Sequence, residues 1–133
     1  MGGRPNSVSI VIIDDNPRSL EFLSTALTRP GVQVFTALKP EDGLSIISLY
    51  RPQIVISDFI MPGMTGMDVL KRVKEFDPGI EVILMSARES GGSPTKALEQ
   101  GATLYLKKPI SLSVLRDRVG RLIEKYLAEH IKP

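Results

Sequence analysis

Three aspartates are the residues of this chain best placed to do chemistry. Asp58 follows the apolar run Ile54-Val55-Ile56-Ser57, and Met61-Pro62-Gly63 lies three residues beyond it. Asp14 and Asp15 close a second apolar run, Val8 to Ile13. If the two runs are neighbouring parallel strands, three carboxylates meet at one edge of a sheet. Negative charges that close together demand a bound cation or a proton. Mg²⁺ suits such a site, because it takes a few carboxylates and keeps several waters. One carboxylate can then attack an electrophilic phosphorus and form an acyl phosphate. Lys108 is the candidate side-chain cation for the transferring oxygens. Ser86 offers a hydroxyl donor, and the backbone N–H of Ala87 offers another.

Positioning these groups falls to apolar β-branched runs that alternate with helical periodicity. Val8 to Ile13 is apolar throughout, as a strand buried on both faces must be. Asn16-Pro17 opens a helix, with Asn as N-cap and Pro in the first turn. Its apolar stripe is Leu20, Leu23, Ala26 and Leu27, and Arg29-Pro30-Gly31 stops it. Val32 to Thr36 predicts a second strand. Pro40 begins a second helix, buried through Leu44, Ile46 and Ile47, and Arg51-Pro52 ends it. Ile54 to Ser57 is the third strand. Val69, Leu70 and Val73 mark a third helix that Asp77-Pro78-Gly79 terminates, and Glu81 to Met85 is the fourth strand. Gly91 and Gly92 would each cost about 1 kcal/mol inside a helix, so the fourth helix is expected late, from Pro94 with Ser93 as cap. Gly101 closes it. Thr103 to Leu106 is the fifth strand, broken by Lys108-Pro109. Ser111 caps a last helix carrying Leu112, Leu115, Val119, Leu122, Ile123 and Tyr126 on one face.

Five βα units with short connections imply an α/β fold: a single doubly wound, five-stranded parallel sheet with helices on both faces. Ligands of such sheets bind beyond the carboxyl ends of the strands. Asp14-Asp15, Asp58, Ser86 and Lys108 all fall there. Taken singly, each has a plainer use: turn and capping acids, a loop hydroxyl, a solvated lysine. Their joint placement at successive strand ends favours a site.

The 133 residues suit one domain, and 42% hydrophobic with 24% charged is ordinary for a globular chain. Seventeen Lys plus Arg against fifteen Asp plus Glu is too balanced to imply direct nucleic-acid binding. With no cysteine, disulfides and thiolate metal sites are excluded. No apolar stretch approaches the ~20 residues of a membrane helix. Residues 1–7 are small and polar and read as a disordered tail or an expression remnant, leaving 8–130 as the domain.

In this setting the chain resembles the receiver domain of two-component response regulators, from Val8 to about Leu127. The matching pieces are Asp14-Asp15, Asp58 with Met61-Pro62-Gly63, Ser86-Ala87, Gly101-Ala102, Tyr105 and Lys108-Pro109, in order and at family spacing. The resemblance implies the flavodoxin-like strand order 2-1-3-4-5. It implies that Asp58 is the phosphoacceptor, taking a phosphoryl group from a sensor histidine kinase, a histidine phosphotransfer protein or a small acyl phosphate. Asp15, Asp58 and the carbonyl of Ile60 would ligate Mg²⁺ directly, with Asp14 acting through water. Ser86 would move toward the phosphoryl group, Tyr105 would turn inward behind it, and Lys108 would pair with its oxygens. The Lys108-Pro109 bond is expected to be cis. The implied protein is cytoplasmic, has no membrane partner, and is a switch rather than a catalyst of other molecules' reactions. Its downstream output domain or target is open, and a phosphorylation-dependent homodimer is possible.

Some positions depart from the family pattern. Thr103 and Leu104 stand where acidic residues often precede the switch aromatic, leaving Arg118 without partners for the dimer built on the fourth helix, fifth strand and fifth helix. Ile60 and Arg88 flank the expected path of hydrolytic water, and Ile60 cannot orient a water, so slow loss of phosphate is expected. The late fourth helix suggests a mobile segment over residues 89–97. Two other classes stay open from the residues. A haloacid dehalogenase-type phosphatase also uses an aspartate nucleophile and Mg²⁺, but needs Asp-x-Asp after the first strand. A flavodoxin-type carrier needs a phosphate-cradling loop there, where Asp14-Asp15 would repel phosphate.

Overall fold

The structure, a computed structural model, describes residues 7–87 and 93–130. The expectations for residues 1–6, for Arg88 and for the Ser90-Gly91-Gly92 stretch lie outside the described residues. Ten elements alternate: β1 (Val8–Ile13), α1 (Pro17–Leu27), β2 (Val32–Ala37), α2 (Pro40–Tyr50), β3 (Ile54–Asp58), α3 (Gly66–Phe76), β4 (Glu81–Ser86), α4 (Pro94–Glu99), β5 (Leu104–Lys107) and α5 (Leu112–His130). All strand pairs are parallel and the order is β2-β1-β3-β4-β5. That is the expected doubly wound, flavodoxin-like sheet.

Successive residues of β1 serve opposite faces, as the two-residue period of a strand requires. Ile10 and Ile12 join Leu20, Leu23 and Leu27 of α1 and Leu115, Val119 and Ile123 of α5 in one core. Val11 and Ile13 join Ile47 of α2, Val69, Leu70 and Val73 of α3 and Ala97 of α4 in the other. Fully burying each large aliphatic side chain contributes about 1.5–3 kcal/mol, so the strand interiors have little freedom to shift register.

The helix starts follow from their caps. Asn16 Oδ1 accepts from the N–H groups of Arg18 and Ser19, at 2.9 and 3.4 Å. Ser93 Oγ accepts from Lys96 N at 3.2 Å. Three departures from the expected elements have local causes. β2, β3 and β4 each run one residue further, to Ala37, Asp58 and Ser86, because the ladder continues to the pairs Ile13–Ala37, Asp58–Met85 and Ser86–Lys107. β5 starts one residue late because the Thr103 hydroxyl is engaged sideways, donating to Glu81 at 2.6 Å and accepting from Val82 N. The face of α2 centres on Gly43 and Ile47, with Leu44 and Ile46 only half-buried.

Candidate functional site

The strand ends deliver the acids to one place. Carboxylate oxygens of Asp14, Asp15 and Asp58 all lie within 4.8 Å of one another. β1 and β3 are hydrogen-bonded neighbours, so their last residues cannot diverge far. Asp14 extends the ladder of β1, its N–H donating to Ala37 O at 3.1 Å. Asp14 Oδ1 accepts from Asn16 N at 3.0 Å, which ties the site to the cap of α1. Asp14 is fully buried and Asp58 is 9% exposed, whereas Asp15 faces solvent.

Lys108 reaches in from the far edge of the sheet. Its Nζ lies 3.2 Å from Asp14 Oδ2 and 3.3 Å from Asp58 Oδ1. Its own N–H donates to Ser86 O at 2.8 Å, fixing the lysine's root at the end of β4. The peptide Lys108-Pro109 is cis. Burial pushes the Asp58 carboxyl up; Lys108 pulls it down, Asp14 pushes it up again, and the net position is above the ordinary aspartate value. Burial pulls the Lys108 ammonium down, but attraction to Asp14 and Asp58 outweighs it and the net position is raised. One ammonium therefore shares two buried carboxylates, while a third acid stands at the solvent edge. The donors are all hard oxygens and Asp15 keeps a path to water open, so the set fits Mg²⁺.

The remaining expected residues sit around this cluster. Ser86 is 3% exposed and its hydroxyl donates to Ala87 O at 3.0 Å. Ala87 is exposed just past β4. Ile60 is 51% exposed, just past β3. The Tyr105 ring packs against Phe59, centroids 6.1 Å apart, and its buried hydroxyl has no hydrogen-bond partner among the described residues. Thus Asp14, Asp15, Asp58 and Lys108 come together directly, and Ser86 and Tyr105 turn to nearer neighbours.

Two contributors were not foreseen. Thr65 caps α3 through a reciprocal box: Asp68 N donates to Thr65 Oγ1 at 3.2 Å, and Thr65 N donates to Asp68 Oδ2 at 3.0 Å. The signal was legible as Thr-x-x-Asp just before Val69. Gly66 donates its N–H to Phe59 O at 2.7 Å, a contact that no sequence pattern announces.

Comparison with known proteins agrees with this geometry. Residues 10–120 match the model of the response regulator receiver domain. The chain is similar to sporulation initiation phosphotransferase F of Bacillus subtilis, 34% identical, covering 89% of this chain and 92% of that one. It is also similar to the transcriptional regulatory protein AfsQ1 of Streptomyces coelicolor, 32% identical over 88% of this chain but only 52% of the relative. The chain thus spans about half the length of AfsQ1 and of several other curated relatives. Among solved structures, a receiver domain protein from Clostridium thermocellum superposes with a TM-score of 0.83 at 29% identity, covering 90% of this chain and 96% of that one. The phosphatase alternative gains no support from these matches. Over nearly its whole folded length, then, this chain belongs to the receiver domain family of two-component response regulators, whose members are phosphorylated on an aspartate.

Proposed function

We propose that Asp58 is the phosphoacceptor of a signalling switch comprising residues 8–130. The observation that carries this reading is the shared ion pair: Lys108 stands 3.2 and 3.3 Å from Asp14 and Asp58, in a cluster of three gathered acids. Asp14, Asp15, Asp58 and the Ile60 carbonyl would hold Mg²⁺, which when bound supplies positive charge against the incoming phosphoryl oxygens. An Asp58 carboxylate oxygen forms the new bond to phosphorus. The old bond to the donor breaks, and its electron pair leaves on the donor, an imidazole nitrogen or an acyl carboxylate. Lys108 exchanges its contact with Asp58 for a phosphoryl oxygen. Ser86 swings its hydroxyl from Ala87 O toward another, and the N–H of Ala87 donates to the same group.

The donor is a sensor histidine kinase or a histidine phosphotransfer protein. Tyr105 turns inward as Ser86 moves, and this changes the α4–β5–α5 surface that meets a partner or output domain. The Tyr105 hydroxyl, buried and without a partner among the described residues, favours such a movement, because a buried polar group left unpaired is costly to keep. The chain assists only its own phosphorylation and dephosphorylation, and its reading is that of a cytoplasmic protein. No helix among the described residues is long and apolar enough to cross a membrane. Incubation with acetyl phosphate and Mg²⁺, followed by intact mass, tests the reading. One phosphoryl adduct is expected on the wild type and none on Asp58→Ala; equal labelling of both would overturn it.

A further inference from the structure

We infer that Gly66 is a positioning residue for the phosphoacceptor: the bare first turn of α3 fixes the peptide that carries Asp58. This inference rests on the proposed role of Asp58 and adds the element that holds it in place. Asp58 Oδ1 accepts from Phe59 N at 3.0 Å, and the same N–H donates to Met85 O at 2.7 Å. Phe59 O in turn accepts from Gly66 N at 2.7 Å. The carboxylate is therefore oriented by a residue whose two backbone polar groups are tied to β4 on one side and α3 on the other.

That approach depends on the missing side chain. A Cβ on residue 66 would stand 2.7 Å from Asp58 O, 2.9 Å from Phe59 Cα and 3.3 Å from Leu84 Cδ2. The first two are backbone atoms with little room to yield. Asp58 O already accepts from Ser57 Oγ at 2.9 Å, and Phe59 N is held to Met85. Among the described glycines only Gly66 would bring a Cβ within 3.0 Å of main chain. Gly43, the other crowded one, meets side-chain atoms of Ile13 and Ala37 and no main chain among its nearest neighbours.

The Phe59–Gly66 bond also closes the loop of residues 60–65. Met61, 6% exposed, pins that loop into the core beneath α2 and α3. Ile60, whose carbonyl is proposed at the metal, is therefore held from both ends. A methyl at 66 must push the Asp58–Phe59 peptide, and with it both the carboxylate and the Ile60 loop. Alanine is otherwise the better helix former, so a loss confined to the site is distinguishable from a loss of helix.

The test compares wild type, Gly66→Ala and Gly120→Ala, the last being a helical glycine in α5 whose Cβ would find its nearest neighbour at 3.9 Å. Mg²⁺ binding is read by calorimetry, labelling by acetyl phosphate at saturating Mg²⁺ by intact mass, and folding by circular dichroism. Gly66→Ala is expected to weaken Mg²⁺ binding and slow labelling by about tenfold or more while folded, as displacement of a reacting group does. Gly120→Ala should match the wild type. A folded Gly66→Ala that binds Mg²⁺ and takes label like the wild type overturns the inference. Should that variant fail to fold, amide exchange in the wild type decides: the Gly66 N–H must be protected both without metal and with Mg²⁺ and beryllofluoride. Free exchange in either state overturns it. A wild type that takes no label removes the phosphoacceptor reading itself, whereas a labelled wild type beside an unaffected Gly66→Ala removes only the role of Gly66.

Discussion

Lys108 keeps only 26% of its side chain exposed and stands between two acids of which one, Asp14, has no contact with solvent. Removing the ammonium leaves those carboxylates facing each other in a partly dry site. Lys108→Met should destabilise the metal-free protein by roughly 2 kcal/mol, less than the ~3–5 kcal/mol of a fully buried pair because the lysine is partly hydrated. Mg²⁺ should then raise the melting temperature of Lys108→Met more than that of the wild type, since the ion replaces the missing charge. Equal melting temperatures of the two metal-free proteins would show that Lys108 compensates nothing. Ile60 makes a second test at this scale. It is exposed beside Asp58 and has no group to orient a water. Ile60→Asn should shorten the phosphoryl lifetime several-fold, read by the decay of the adduct mass; an unchanged lifetime would remove residue 60 from the path of hydrolysis.

The elements hold these residues through their ends, and the ends explain what could be read in advance. The stripe Leu20, Leu23, Ala26 and Leu27 was legible because a helix on a sheet buries one face at a fixed period. Asp14, Asp15 and Asp58 were legible because they close runs too apolar to lie anywhere but the sheet, and Lys108 because it follows the last strand next to Pro109. Gly66 was not, since its contact is set by how closely α3 approaches β3, a tertiary distance. Nor was the idle pairing of Lys108 with Asp14, which exists only because the lysine side chain reaches back past the ends of β4 and β3 toward β1. The Thr65–Asp68 box sets where α3 begins and so where Gly66 lies. Thr65→Ala should cost about 1 kcal/mol in denaturant unfolding. The backbone and side-chain bonds from Thr65 hold the Asp68 carboxyl below its ordinary value. A lowered folded value stabilises above the unfolded pKa of about 3.9 and loses that contribution as pH falls through the folded one. Asp68→Ala should therefore weaken the protein at pH 7 and cease to do so in acid. A deficit that persists below that range would separate Asp68 from the cap.

Across the whole molecule, the acids gather at the carboxyl edge of β1 and β3, and the surface that would report on them lies on α4, β5 and α5. Among the described residues, several polar groups of that surface are already engaged within the chain. The Thr103 hydroxyl is engaged by Glu81 and Val82. Arg121 pairs with Asp117 in its own helix at 3.2 Å, and Lys125 reaches Glu81 at 4.0 Å. Beryllofluoride with Mg²⁺ should leave the sedimentation coefficient that of a monomer at micromolar protein; a dimer abolished by Arg118→Ala would place the family's α4–β5–α5 contact here after all. The location of the phosphoryl group itself is open to direct reading. An acyl phosphate is reduced by borohydride to the alcohol, so a phosphorylated aspartate becomes homoserine and its peptide changes mass. After acetyl phosphate and Mg²⁺, that change is expected at position 58 alone and should vanish when the metal is chelated. Homoserine at position 14 or 15, or at none of the three, would contradict the assignment of Asp58.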